Sequence, residues 1–121
     1  MNESALKLRI AALTGLFGVG LGAFGAHALK AHLEAGGYMD TWRTAVLYHL
    51  VHAVVILALA LFSSPRFWAA YWWMLGGIFI FCGSLYLLAV VHVSWLGAIT
   101  PIGGFAFMIG WGMIIIKSRD V

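Results

Sequence analysis

Residues 45–62 read AVLYHLVHAVVILALALF, without a single charge. A helix that crosses the hydrocarbon of a bilayer needs about 20 mainly apolar residues, because ~30 Å is covered at ~1.5 Å per residue. The run reaches that length by extending back to Thr41. It shows no apolar/polar alternation, so a strand of a membrane barrel is excluded. Working outward, three further runs have the same character: residues 10–29, 67–91 and 95–116, the last with Pro101 near its start. The whole chain agrees with this reading. Of its 121 residues, 64% are hydrophobic and 9% charged, whereas a soluble domain carries about 25% charged residues. Too few charges remain to cover a water-facing surface. Cys82 is the single cysteine, which excludes a disulfide scaffold. The expected fold is all-α: a four-transmembrane-helix bundle in one domain over residues 1–121, with spans at about 10–29, 41–62, 67–91 and 95–116.

The connections are short. Gly36-Gly37 breaks the first, and Asp40 is placed to N-cap the second helix. Pro65 can open the third helix. Lys7, Arg9, Arg66, Lys117 and Arg119 fall on one side of the membrane, against Lys30 and Arg43 on the other. The positive-inside rule then puts both termini in the cytoplasm. The chain is expected to be a multi-pass protein of the bacterial inner membrane. Ala26-His27-Ala28 would suit signal cleavage, but the preceding run exceeds the usual 7–15 apolar residues, so it is read as a retained span. A net charge of +3, scattered along the chain, gives no basic face for nucleic acid.

Ala11, Gly15, Gly18, Gly22 and Gly25 recur at spacings of 4, 3, 4 and 3, hence on one face of the first helix. In lipid, close backbone approach drives helix association, and small residues permit it. The stripe is expected to pack within the chain, with a seam between copies as the alternative. Gly76, Gly77, Gly83, Gly103, Gly104, Gly110 and Gly112 point to similarly tight packing in the last two helices.

Polar residues inside a span are costly and often functional. If Trp42 marks the interface, His49 lies about 10 Å below it and His52 about 15 Å, on a shared face. His27 ends the first helix, nearly opposite the glycine stripe. A candidate polar cluster in the outer half comprises His27, Trp42, Tyr48, His49, His52, Ser84, Tyr86 and Thr100. The favoured reading is neutral histidines hydrogen-bonded inside the bundle. A three-histidine zinc site lacks a carboxylate or thiolate, and a bis-histidine haem needs ligands at matched depth. No metal or other cofactor is expected. The acids Glu3, Glu34, Asp40 and Asp120 all lie outside the spans, and no catalytic triad is readable. No enzymatic activity is expected. Cys82 reads as a small core residue, and Trp42, Trp68, Trp72, Trp73 and Trp95 as an interfacial aromatic belt.

Four motifs stand in order: Gly22-Ala23-Phe24-Gly25-Ala26-His27-Ala28-Leu29; Trp42-Arg43-Thr44-Ala45 with Tyr48-His49 and His52-Ala53; Gly83-Ser84-Leu85-Tyr86; and Thr100-Pro101-Ile102-Gly103-Gly104 with Gly110-Trp111. Together they resemble the family of small multi-pass membrane proteins catalogued as domain of unknown function 423. The resemblance implies a four-helix inner-membrane protein and no particular activity. Relatives commonly carry serine where this chain has Cys82, which implies a small packing residue there. Three functional expectations follow. The first is a non-catalytic interaction or accessory protein, embedded in the lipid bilayer with a membrane-protein partner or as a homo-oligomer. The second is binding of a small ligand (a lipid, a quinone-like molecule or haem) in the outer half. The third is a channel or transporter formed only by an oligomer.

Overall fold

The computed structural model describes residues 2–121. Among them no strand occurs. The helices are α1 (Glu3–Ala26), a short α2 (Lys30–Gly36), α3 (Met39–Phe62), α4 (Trp68–Gly77), α5 (Gly83–Val91) and α6 (Leu96–Lys117). A 3-10 turn, Pro65–Phe67, leads into α4, and a π-helical segment, Ile78–Cys82, joins α4 to α5. The stretch Pro65–Val91 is therefore one continuous third span. Four helices are long and apolar enough to cross a membrane, with mean hydropathy between 1.5 and 2.4.

The ends of these elements depart from the sequence reading in instructive ways. α1 begins at Glu3 rather than near residue 10, because the Asn2 side chain accepts a hydrogen bond from the Ala5 N–H at 2.7 Å and caps the first turn. It stops at Ala26 rather than at residue 29. The connection that follows is mostly helical, as α2, and closes at Gly37 with φ 77°, the left-handed conformation glycine adopts without strain. Asp40 does not cap α3. Tyr38 precedes the helix, and Asp40 sits in its first turn, where its charge faces the positive end of the helix dipole. Pro65 does stand at the start of the third span.

The spans run up and down, and each packs mainly on its neighbours in sequence. α1 lies against α3, α3 against α4 and α5, and these in turn against α6. The start of α1 and the end of α6 lie at the α3–α4 turn. Ser4 hydrogen-bonds Ser63 across it, and Arg66 Nη1 donates to the Lys117 carbonyl at 3.3 Å. The opposite end carries α2 and the α5–α6 turn. The outward faces are apolar, with Leu16, Phe17, Leu61, Phe79, Phe105 and Met108 all more than half exposed. On a soluble protein such a surface would aggregate; here it meets lipid.

The core is built from the third span and α3: Tyr71, Met74, Ile78 and Cys82 with Ala45, Ile56 and Ala60, joined by Phe107 of α6. Glycines set the spacing. A Cβ on Gly18 would fall 2.7 Å from Leu50 Cδ2, one on Gly22 3.2 Å from Val46 Cγ1, and one on Gly25 would overlap the Trp42 indole. Those three glycines thus face α3 of the same chain. Gly15 does not share their role: a Cβ there would meet nothing within 4 Å. From Gly18 to Gly25 the stripe is consequently covered by α3 within the chain. Gly18→Leu is expected to lower the melting temperature while leaving the oligomeric state unchanged, which native mass measurement of the detergent-solubilised protein checks.

Candidate polar sites in the membrane spans

The polar residues singled out above do not form one cluster. They form several fasteners between helices, two of which meet where the Trp42 ring packs 4.7 Å from that of Tyr86, the partner of His49. His49, on α3, is buried. Its Nε2 lies 2.8 Å from the Thr14 carbonyl of α1 and its Nδ1 2.8 Å from the Tyr86 hydroxyl of α5. A carbonyl can only accept, so Nε2 carries the proton, and in the neutral ring Nδ1 accepts from Tyr86 O–H. The imidazole joins three helices.

His52 is one turn further on. Its Nδ1 lies 2.8 Å from the Tyr48 carbonyl, and its Nε2 accepts from the Trp111 indole N–H at 3.2 Å. The indole can only donate, which fixes the other neutral tautomer. The ring stacks on Phe107, with centroids 3.7 Å apart. His52 therefore ties α3 to α6. Each histidine already uses both ring nitrogens, so binding a metal or haem iron would require breaking one of these bonds. His52→Ala is expected to destabilise more than His32→Ala, by roughly 1–2 kcal/mol against less than about 1, because one loses a buried ring and the other an exposed one. Thermal unfolding of the two variants in the same detergent checks the order.

Ser84 and Thr100 form a third fastener, hydroxyl to hydroxyl at 2.6 Å, between α5 and α6. Trp42 forms a fourth. It is buried, and its indole N–H donates to the Leu21 carbonyl at 2.9 Å. It is a core residue between α1 and α3, not an interfacial marker. Tyr48 lines a different groove, described below. His27 joins nothing: it is exposed, and its side chain has no hydrogen-bond partner among the described residues. It and His49 are not brought together, since the glycine face of α1 meets α3 and His27 lies away from that face.

At the α2 end, Leu33 is fully buried beside Trp42 and Ala89 and pins α2 over the bundle. His32 Nε2 donates to the Val90 carbonyl at 2.9 Å, and His92 stacks between His32 and Tyr38 at 5.3 and 4.8 Å.

One arrangement escaped the sequence reading. Lys7, counted there as a topology signal, is 1% exposed. Its ammonium lies 3.1 Å from Glu3 Oε1, 4.3 Å from the Trp68 ring centroid and 5.4 Å from that of Trp72. Its carbonyl accepts from the Tyr71 hydroxyl at 2.6 Å. Cation–π contact with two indoles compensates part of the lost hydration. The signal was present: four residues before Ala11, Lys7 continues the small-residue stripe backward onto the same face.

Grooves open sideways between helices. One of about 520 Å³ lies between α1 and the third span, with Thr14, His49 and Tyr86 among apolar side chains. One of about 320 Å³ lies between α1 and α3, and Arg43 lines it together with Gly22 and Gly25. One of about 380 Å³ lies between α3 and α6.

Multiple apolar spans, polar groups engaged pairwise and lateral grooves define a small multi-pass membrane protein. The chain belongs to the family described as "Protein of unknown function (DUF423)", which matches residues 21–104. It is 43% identical over 114 residues to the UPF0382 membrane protein YwdK of Bacillus subtilis, covering 90% of this chain and 92% of that one. It is 42% identical to the UPF0382 membrane protein SSP2132 of Staphylococcus saprophyticus, covering 93% and 95%. It is 40% identical to the UPF0382 membrane protein SAB0533 of Staphylococcus aureus, covering 93% and 94%. No solved structure matches.

Proposed function

We propose that the chain is a non-catalytic membrane interaction protein, whose polar residues hold its helices together and do no chemistry of their own. The observation that carries this reading is the double engagement of His49 and of His52, each with both ring nitrogens in hydrogen bonds. A general base or metal ligand needs a free lone pair. Glu3 and Asp40 stand in the first turns of α1 and α3, Glu34 lies in α2 and Asp120 beyond α6, so no carboxylate lies toward the middle of a span to act as a proton carrier. Protein purified in mild detergent is expected to show no visible absorption band and less than about one tenth of a transition-metal ion per chain. One haem or metal ion per chain, lost on His49→Ala or His52→Ala, would overturn the proposal.

The reading includes an orientation. Five basic residues on the terminal side against two on the α2 side favour cytoplasmic termini. In a Cys82→Ala background, Gly37→Cys should react with an impermeant thiol reagent on intact cells, and Ser118→Cys only after permeabilisation. The reverse pattern would invert the protein in the membrane.

A further inference from the structure

We propose that the groove between α3 and α6 holds the ring of a membrane-soluble, quinone-type molecule, one of whose carbonyls accepts a hydrogen bond from the Tyr48 hydroxyl. The starting point is the state of the hydroxyls in the spans. Those of Thr14, Tyr71, Ser84, Tyr86 and Thr100 each reach a partner, while Thr41 and Thr44, without one among the described residues, lie within about 8 Å of the start of α3, close to the polar boundary. Tyr48 gives its carbonyl to His52 and its ring to Phe81, but its hydroxyl has no partner among the described residues. The residue is 39% exposed, on a face that meets lipid. There is no water in the hydrocarbon to satisfy an O–H group, so leaving it unpaired is costly.

Depth decides which acceptors can reach it. Tyr48 lies about 13 Å along α3 from Met39, at ~1.5 Å per residue. Its ring is held at this level by Phe81, 4.6 Å away near the middle of the third span, and by Phe107 at 6.2 Å. Phospholipid ester carbonyls sit at the edge of the hydrocarbon, about 15 Å from the midplane. A ring carried on an apolar tail, with carbonyls of its own, can enter deeper.

The walls suit a flat ring. Tyr48, His52, Phe81, Phe107 and Trp111 present aromatic surface to a space of about 380 Å³. Offset or edge-to-face contact with such rings favours another π system over a saturated chain. His52 and the Trp111 N–H are already paired with each other, which leaves Tyr48 as the hydroxyl donor the groove offers. Gly104 forms part of the wall, and a Cβ there would only touch the Phe81 ring at 3.9 Å. The space is therefore kept open by the lack of a side chain and can be filled by adding one.

The test uses the full chain in phosphatidylcholine nanodiscs and a decyl-substituted benzoquinone as the probe, with decylbenzene as the tail-only control. Quenching of tryptophan fluorescence reports binding, since Trp111 lines the groove. Saturable quenching by the quinone is expected, weakened roughly tenfold by Tyr48→Phe, the loss appropriate to one hydrogen bond in apolar surroundings. Tyr48→Phe should at the same time keep or raise the melting temperature of the unliganded protein, which a structural tyrosine hydroxyl would not do. Gly104→Leu should abolish saturable binding; if that variant fails to fold, Tyr48→Phe alone decides. Equal affinity of Tyr48→Phe and the parent chain overturns the proposal. So does equal binding of decylbenzene. Conversion of a dimer to a monomer by Tyr48→Phe would also overturn it, by showing that a second copy fills the groove. Absence of quinone binding leaves the non-catalytic reading intact, because that rests on the paired histidines; turnover of the quinone would contradict it.

Discussion

Gly103→Leu is expected to cost about 3 kcal/mol or more and to lower the melting temperature by roughly 10–20 °C. At this position a Cβ would overlap the backbone nitrogen of Phe81 and fall 2.7 Å from its Cα. A flexible side chain could swing aside; a helix backbone cannot. The substitution therefore pushes α6 away from the third span and loosens the Ser84–Thr100 hydrogen bond at the same contact. Gly112→Ala is the matched control. A Cβ there meets nothing within 4 Å, and alanine is the better helix former, so this change should be neutral or stabilising by up to about 1 kcal/mol. Equal losses for both substitutions in thermal unfolding would show that helix propensity, and not the α6 contact, sets the response.

His49→Ala should be nearly as damaging, at about 2–3 kcal/mol. Hydrogen bonds between membrane helices average about 0.6 kcal/mol and reach about 1.7. His49 makes two, to Thr14 and Tyr86, and its removal also leaves a cavity and a hydroxyl without its partner. Tyr86→Phe removes one of the two bonds. A double-mutant cycle of the pair should return a coupling of about 1 kcal/mol. Strict additivity would mean that the bond at 2.8 Å contributes nothing to stability.

The spans themselves were readable because hydrocarbon thickness imposes a length, and an uncharged run such as residues 45–62 satisfies it or does not. Their ends were not. Lys7 and Arg9 looked like a polar tail, so α1 was begun seven residues late; Glu3 and two indoles let Lys7 stay helical and buried. Tryptophans near a span end suggest an interfacial belt, and the same position serves a buried Trp42 whose N–H finds the Leu21 carbonyl. Which of these holds depends on the facing helix, and periodicity in one helix carries no information about that. His49 and His52 were legible as buried hydrogen-bonding groups. Their partners were not, since Thr14 and Tyr48 contribute backbone carbonyls that any residue type would supply. The π-helical turn at Ile78–Cys82 had no signature in the apolar run that contains it.

Because each span rests chiefly on the ones beside it in sequence, the molecule can be assembled in the order in which a ribosome delivers it. α1 and α3 pair first, fastened by Trp42 and His49. Without the third span Lys7 would lack Trp68 and Trp72 and keep only Glu3 as a partner; the arriving third span supplies both indoles. The Ser63–Ser64 turn divides the chain into two such hairpins. Two separately translated halves, cut at this turn, should therefore reassociate in the membrane into a complex that survives mild detergent.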